Sequence, residues 1–438
     1  MASVRERLER YFEFAALGTN WRTEILAGFT TFLTMAYIVF VNPAILSETG
    51  MPLAAVTAAT CLSAAFGSLL MGAYARYPIA LAPGMGLNAY FTYVVVLKMG
   101  VPWQAALGAV FLSGVVFLLL TAAGIRQMII AAIPRDLYAA VAVGIGFFIA
   151  FIGFRNAGII VADRATFVTL GNLRAPQTEL AIAGLLLVAA LLAWRVRAAM
   201  LLGILFTTLL AAFTGQVKWN PQWISLSGLS STFLQLDISR ALQLGFLEIV
   251  FVFLFVDLFD NLGTLVAVGK KARLFNDQNQ IPRLDRILFT DASATVVGSL
   301  TGTSTVVSYI ESAAGVSAGG RSGVTAIVTG LLFLAALFLA PLVGVIPAAA
   351  TAPALIIVGS LMIGHAAEID WQDPLTAVPA FLTIATIPLS FSIANGLAFG
   401  FIAHTVLRVL RGHGKDINWL VYLLTLLFVL RFVYLGQG

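Results

Sequence analysis

Charge, cysteine and histidine are all scarce in this chain. Only 10% of its 438 residues are charged and 60% are apolar, against roughly 25% charged in a soluble globular average, which disfavours a water-soluble enzyme. Cys61 is the single cysteine, so an internal disulfide, a thiolate cluster and a dithiol redox pair are excluded, while the compartment stays open. The three histidines include His365 and His404; neither has ligand partners at metal spacing, and both are read as packed or interfacial. No Gly-rich phosphate loop, metal cluster or nucleophile constellation is present, which disfavours ATP-driven pumping, and neither a cofactor nor a metal is expected. The formal charge of +5 is small for the length and the basic residues sit in short loops, so nucleic-acid binding has no footprint. The N-terminal MASVRERLERYFEF carries Arg5, Glu6, Arg7, Glu9 and Arg10 ahead of any apolar run and no small-residue cleavage site. It is expected to form a short surface helix rather than a signal peptide.

What the chain does have is long apolar runs. Crossing a ~30 Å hydrocarbon core takes about 20 helical residues. Windows bounded by charge or Pro/Gly predict spans near 25–46, 54–75, 78–99, 103–124, 136–158, 179–194 and 197–216, then a polar connection over 217–243. A second seven follow near 244–268, 288–302, 303–320, 322–342, 351–367, 374–391 and 393–411. Arg126, Arg135, Arg195, Arg197, Lys270, Lys271, Arg273, Arg283 and Arg286 fall with the N-terminus on one side of the alternating spans, which predicts that side to be cytoplasmic. The apolar stretch Trp419 to Leu435, interrupted by Arg431, is expected to lie along the interface or to cross once more. Seven spans set successive repeats in opposite orientation, so a 7+7 chain is an inverted repeat, as in secondary transporters. Gly67-Ser68-Leu69 is echoed by Gly298-Ser299-Leu300, and Ile133-Pro134 by Ile346-Pro347.

Two segments in the third place of each half are poor spanning helices. In Tyr77 to Phe91, Pro78, Pro83, Gly84 and Gly86 forbid a regular helix until about Met85. In Gly302 to Gly320, Thr303 to Ile310 is rich in β-branched residues and a helix starts only near Ser312. Each reads as an extended piece followed by a half-helix. Unpaired backbone at membrane depth costs several kcal/mol per group and survives only inside protein or beside a wet cavity. Two half-helices meeting at the midplane therefore point to a binding site.

The intramembrane carboxylates point the same way. An ionised carboxylate at the centre of a span costs roughly 2.5–3.5 kcal/mol unless partnered. Glu311 sits where extended backbone becomes helix, where free N–H groups would stabilise it. Asp257 and Asp260, three apart in the eighth span, are expected to share a face and not to ionise together easily, so that one exchanges a proton near neutral pH. Asn88 on the first half-helix reads equally as site or packing residue, Asp291 as a brace for the ninth span, and Glu248 as interfacial. Tyr37, Thr31 and Thr34, ahead of the break at Asn42-Pro43, can face a cavity.

The strings DLFDNLGT (Asp257 to Thr264), DASATVVGSLTGTSTVVSYIESAAGVSAGGRSG (Asp291 to Gly323), APGMGLNAYF (Ala82 to Phe91) and IPAAATAPALIIVG (Ile346 to Gly359) resemble the AzgA-like purine permeases of the nucleobase:cation symporter-2 family, across essentially the whole chain. The resemblance implies an all-α polytopic membrane protein of UraA-like fold, with fourteen transmembrane segments in two inverted sevens and short strands in segments 3 and 10. It implies a core domain from 25–124 and 244–342, a gate domain from 125–216 and 343–411, and a C-terminal hydrophobic segment over 412–438. It further implies a multi-pass cell-membrane carrier, N-terminus cytoplasmic, that imports hypoxanthine, guanine or adenine with H⁺ by an elevator-type shift, with a homodimer through the gate domains. Asp257 and Glu311 would bind the base, with Asn88 and Ser312 also at the site, and Glu311, Asp257 and Asp260 would carry proton coupling. Ser312 stands where the wider family has Asn, which fits the purine branch. The competing readings are a xanthine, uracil or small-anion carrier on the same fold, a channel, and an intramembrane enzyme using Ser304 or Ser308. An anion site would call for a basic residue or bare helix termini and not three carboxylates, a channel for a continuous polar lining, and an enzyme for a nucleophile with its base.

Overall fold

The computed structural model describes residues 3–125, 128, 132–217, 230–243, 247–272, 274 and 281–434. Arg126, Arg273, the Lys270 side chain and most of the connection, 218–229, lie outside the described residues. Helices long and apolar enough to cross a membrane run over Trp21–Ser47, Leu53–Ala75, Trp103–Ala122, Arg135–Asn156, Pro176–Ala193, Gly323–Val345, Ala348–Glu368 and Ile393–Leu410. Shorter apolar helices cover Ala199–Phe213, Pro374–Ser390 and Trp419–Val433, and Leu247–Ala272 and Leu284–Thr301 carry the intramembrane carboxylates. With the two interrupted pieces these make segments 1–14 in chain order, followed by the C-terminal helix Trp419–Tyr434. Boundaries fall within a few residues of those expected from hydropathy, because both are set by where charge, Pro and Gly end an apolar run.

Segment 3 begins as strand β1 (Leu81–Pro83), turns helical at Met85–Ala89 and continues as a π-helix over Tyr90–Lys98. Segment 10 is strand β4 (Val306–Ser308) followed by the helix Ser312–Ser317. Segment 1 is broken as well: Trp21–Met35 stops, Ala36 and Tyr37 form a turn, and Ile38–Ser47 resumes with Pro43 inside it. The missing N–H of Pro43 weakens the ladder there.

Segments 1–4 pack among segments 8–11, with 11 on 1 and 2, 9 on 2 and 4, and 10 on 1 and 8. Segments 5–7 pack among 12–14, with 5 on 12 and 13, 6 and 7 on 12, and 13 on 14. Small residues let these backbones touch, as membrane helix packing requires. A methyl group on Gly146 would meet the Gly359 carbonyl at 2.8 Å, and one on Gly72 would meet the Gly323 carbonyl.

One element has no counterpart among the sequence expectations: the hairpin β2 (Ile160–Asp163) and β3 (Phe167–Leu170) between segments 5 and 6. Its residues are mostly exposed, so it has no buried face to leave a period-2 pattern. Its turn is held by the Asp163 carboxylate, which accepts the backbone N–H groups of Ala165 and Thr166 at 2.8 Å. The Thr166 and Ala165 amides, then the Thr166 hydroxyl, hold that carboxyl below its usual range.

The echoes resolve unevenly. Pro134 and Pro347 both sit immediately before a helix, at the starts of segments 5 and 12. Gly67 packs against Leu81 of β1 and Gly298 against Val306 of β4. The serines that follow are not equivalent, since Ser68 bonds β1 while Ser299 bonds its own helix at Val296 O, 2.7 Å away.

Candidate functional site

β1 and β4 pair antiparallel, with Leu81 opposite Ser308, Ala82 opposite Val307 and Pro83 opposite Val306. A two-stranded ladder leaves outer N–H and C=O groups that must find partners away from water. Side chains supply them. Ser68 Oγ accepts from Leu81 N at 3.0 Å and donates to Leu81 O at 3.1 Å. Across the pair Thr295 Oγ1 accepts from Val306 N at 3.2 Å and donates to Val306 O at 3.0 Å. Asn261 Oδ1 accepts from Ser308 N at 2.9 Å and Ser312 Oγ from Ala80 N at 3.0 Å. The Tyr309 hydroxyl donates to Pro83 O.

A small cavity, about 90 Å³ in volume, opens between this strand pair and the segment 5–12 wall. Asp260, Phe259 and Thr264 come from segment 8, Ser308 to Glu311 from segment 10, Gly84 to Gly86 from segment 3, and Tyr37 from the segment 1 break. The opposite wall is Ala142, Ile145 and Ile149 of segment 5 with Val358, Met362 and His365 of segment 12. Glu311 precedes the half-helix, but its side chain does not cap that helix. Oε1 accepts instead from the Tyr37 hydroxyl at 2.9 Å. The expected helix-terminus stabilisation is thus replaced by a phenol from segment 1, because the turn at Ala36 and Tyr37 brings that ring to the strand ends.

Asp257 and Asp260 do not present to one surface. At about 100° per residue a three-residue step leaves two side chains about 60° apart, enough here to divide them between cavity and core. Asp260 lines the cavity, whereas Asp257 is fully buried behind it. Asn261 Nδ2 donates to Asp257 Oδ1 at 2.8 Å and to Asp291 Oδ2 at 2.6 Å, so one amide joins both carboxylates while its oxygen holds β4. Asn88 is buried beneath the cavity, where its Oδ1 accepts from Ser304 Oγ. Ser312 likewise lies off the lining, under β1.

Four features at or near this centre escaped the sequence reading. Asn261 was legible only as the neighbour of Asp260, and His365 gave no signal beyond being a lone histidine. Tyr309 followed a β-branched run. Glu24 is fully buried in segment 1 and accepts from Thr19 Oγ1 at 2.7 Å, Arg321 N at 2.9 Å, Ser322 N at 3.2 Å and Thr325 Oγ1 at 2.6 Å, closing the start of segment 11. An acidic residue in the first turn of a span was its only cue. Glu248, expected at an interface, pairs with Arg431 of the C-terminal helix at 2.6 Å. Arg431 also donates to Asn395 of segment 14 at 2.9 Å.

Comparison with known proteins bears on what such a site serves. Residues 22–399 match the Permease family, Xan_ur_permease. The chain is 46% identical over 428 residues to adenine permease AdeP of Escherichia coli, covering 98% of this chain and 96% of that protein. It is 46% identical over 440 residues to guanine/hypoxanthine permease PbuG of Bacillus subtilis, covering 98% and 100%. Among solved structures, the transmembrane domain of the cyanobacterial bicarbonate transporter BicA superposes with a TM-score of 0.61 at 15% identity, over 87% of this chain and 98% of that one. That likeness concerns the fold alone.

Proposed function

The chain belongs to the Permease family, as a nucleobase:cation symporter-2 member, and from that premise we propose that it imports the purine bases adenine, guanine and hypoxanthine with protons. It is a multi-pass cell-membrane transporter and not an enzyme. The observation that carries the substrate reading is the cavity itself, in which Glu311 and Asp260 face an apolar wall with no Lys or Arg among its described lining residues. Ionised carboxylates only accept hydrogen bonds, so they suit a neutral planar ring bearing N–H donors and repel an anion. Ile145, Ile149, Phe259 and Met362 supply apolar cover for the ring faces. The similarity to adenine and guanine/hypoxanthine permeases supports purines within that class.

In this reading Glu311 and Asp260 touch the base, while Asp257 acts from behind through Asn261, which holds the β4 backbone at Ser308. Asn88 and Ser312 keep the crossed strands in register. Binding that depends on a carboxylate's charge links base and proton occupancy, and the linkage is reciprocal. Each proton entering with the base brings about 2.3 kcal/mol per 100 mV of membrane potential. Segments 1–4 and 8–11 form the core domain and segments 5–7 and 12–14 the gate domain. The core slides past the gate as an elevator, with the N-terminus on the cytoplasmic side. The two packing groups support this division, and the mostly apolar gate wall supports sliding, because few hydrogen bonds must break.

Uptake of radiolabelled adenine, guanine, hypoxanthine, xanthine and uracil into proteoliposomes, with and without an inward proton gradient, tests the reading. Gradient-stimulated purine uptake that Glu311→Gln reduces by at least about 100-fold is expected, as a buried charged acceptor is lost. Wild-type uptake indifferent to the gradient would refute proton coupling. Folded protein that carries no purine would refute the substrate.

A further inference from the structure

The gate wall contributes one polar side chain to the cavity. Of its described lining residues Ala142, Ile145, Ile149, Val358, Met362 and His365, only the last can form a hydrogen bond through its side chain. Its ring is oriented: Nδ1 lies 3.1 Å from Glu368 Oε1 one helical turn along. The imidazole is 19% exposed and its carboxylate partner 58%, so the ring is held against the cavity by a group in water. A carboxylate on Nδ1 keeps the proton there and leaves Nε2 as the free nitrogen, an acceptor when the ring is neutral and a donor when it is protonated.

We infer that His365 reads the six-position edge of the purine from the gate side, accepting from a 6-amino group when neutral and donating to a 6-oxo group when protonated. The inference rests on the purine reading above. In its 9H form every purine base carries an imidazole N–H on the side of the ring away from the six-position, and in this assignment the core carboxylates Glu311 and Asp260 accept from that shared donor. The six-position edge then points away from the core, toward the opposite wall, where among the described lining residues His365 is the side chain able to answer it. A neutral Nε2 against a 6-oxo group sets two lone pairs face to face, and a site with unmatched polar atoms discriminates strongly between analogues. The base would then join core and gate by hydrogen bonds that exist only while it is bound.

The other titratable groups around the cavity act on all purines alike. Asp260, Glu311, Tyr37 and Tyr309 face His365 across the cavity, and Glu368 lies on its own element. Segment 5 turns only Ala142, Ile145 and Ile149 to it, and Asp136 at the end of that segment accepts instead from Asp370 N at 3.2 Å. A ratio of two substrates cancels what those groups do to both.

The test is the ratio of kcat/KM for adenine over hypoxanthine uptake in proteoliposomes, measured for wild type, His365→Asn and His365→Gln. An Asn amide nitrogen takes the place of Nδ1 and keeps the Glu368 bond but does not reach the cavity; a Gln amide reaches the place of Nε2. At pH about 7.5 the ratio is expected to fall roughly tenfold in His365→Asn, the worth of one hydrogen bond, because adenine loses its acceptor, and to fall in His365→Gln because hypoxanthine gains, since a Gln amide turns its nitrogen to a 6-oxo group as readily as its oxygen to a 6-amino group. A ratio unmoved by His365→Asn, or equal losses for both bases in both variants, overturns the assignment and leaves a packing role. Wild-type protein that takes up neither base overturns the purine reading and this assignment with it.

Discussion

Asn261 offers the sharpest test of how the site is supported. Its amide donates to Asp257 Oδ1 at 2.8 Å and Asp291 Oδ2 at 2.6 Å while its carbonyl accepts from Ser308 N at 2.9 Å, and all four residues are buried. Asn261→Ala removes two hydrogen bonds to carboxylates, worth about 1.5–3 kcal/mol each, and leaves a buried strand N–H without its acceptor, at about 1–3 kcal/mol. Such losses are not additive because neighbours relax and water enters, so a net destabilisation of about 3–5 kcal/mol is expected. In a chain of this length that corresponds to a fall of roughly 3–6 °C in apparent Tm, followed by tryptophan fluorescence in detergent. Purine uptake should fall as well, because Ser308 adjoins Glu311 along the cavity edge. Asn261→Asp separates the two halves of the argument: it still accepts from Ser308 N but cannot donate to the carboxylates and adds a third beside them. Asn261→Asp is expected to be at least as destabilised as Asn261→Ala. An Asp variant with wild-type Tm and uptake would refute it.

Because Asp260 lines the cavity and Asp257 does not, Asp260→Asn should raise the KM for purine uptake by about 10–100-fold with little change in Tm, whereas Asp257→Asn should lower Tm by several degrees; identical profiles in both assays would remove the distinction. Arg431→Gln strips Glu248 of its 2.6 Å partner where both side chains are largely covered, at about 3 kcal/mol, and the double variant with Glu248→Gln should recover part of the Tm; a double variant less stable than either single one would count against the pair. Glu24→Ala removes the acceptor for four donors, three of them at the start of segment 11, so a loss of about 2–4 kcal/mol is expected, measured by thermal unfolding, with Glu24→Gln intermediate.

The legible part of the fold was the part set by local chemistry. A run that can cross a bilayer must be apolar over about 20 residues, and nothing in tertiary packing changes that requirement, so the span boundaries stood. Pro78, Pro83, Gly84 and Gly86 forbid a helix in any surroundings, so the start of the half-helix at Met85 was visible in the chain. The duplication was only partly visible. Segment 2 pins its strand through Ser68 and segment 9 through Thr295, one turn before the serine that matches in sequence. A hydroxyl one turn away on the same helix face does the same work, so selection for the bond need not preserve the motif.

By itself the sequence determined the membrane class, the two sevens, the two interrupted segments and the fact that carboxylates lie at membrane depth, because each follows from the cost of placing polar groups or helix breakers in hydrocarbon. Tertiary structure alone decided which carboxylate meets the cavity. Asp257 and Asp260 stand in the same helix, and only the rotation imposed by segments 4 and 10 packing against segment 8 turns one inward and one to the opening. Contacts between distant residues were equally beyond the sequence: Tyr37 to Glu311 spans 274 positions and Glu24 to Ser322 spans 298. The imidazole of His365 is ordinary in its own segment and acquires a role only because segment 12 faces the crossed strands. Burial costs are properties of a segment and can be read along the chain, whereas facing relations are properties of the packed assembly.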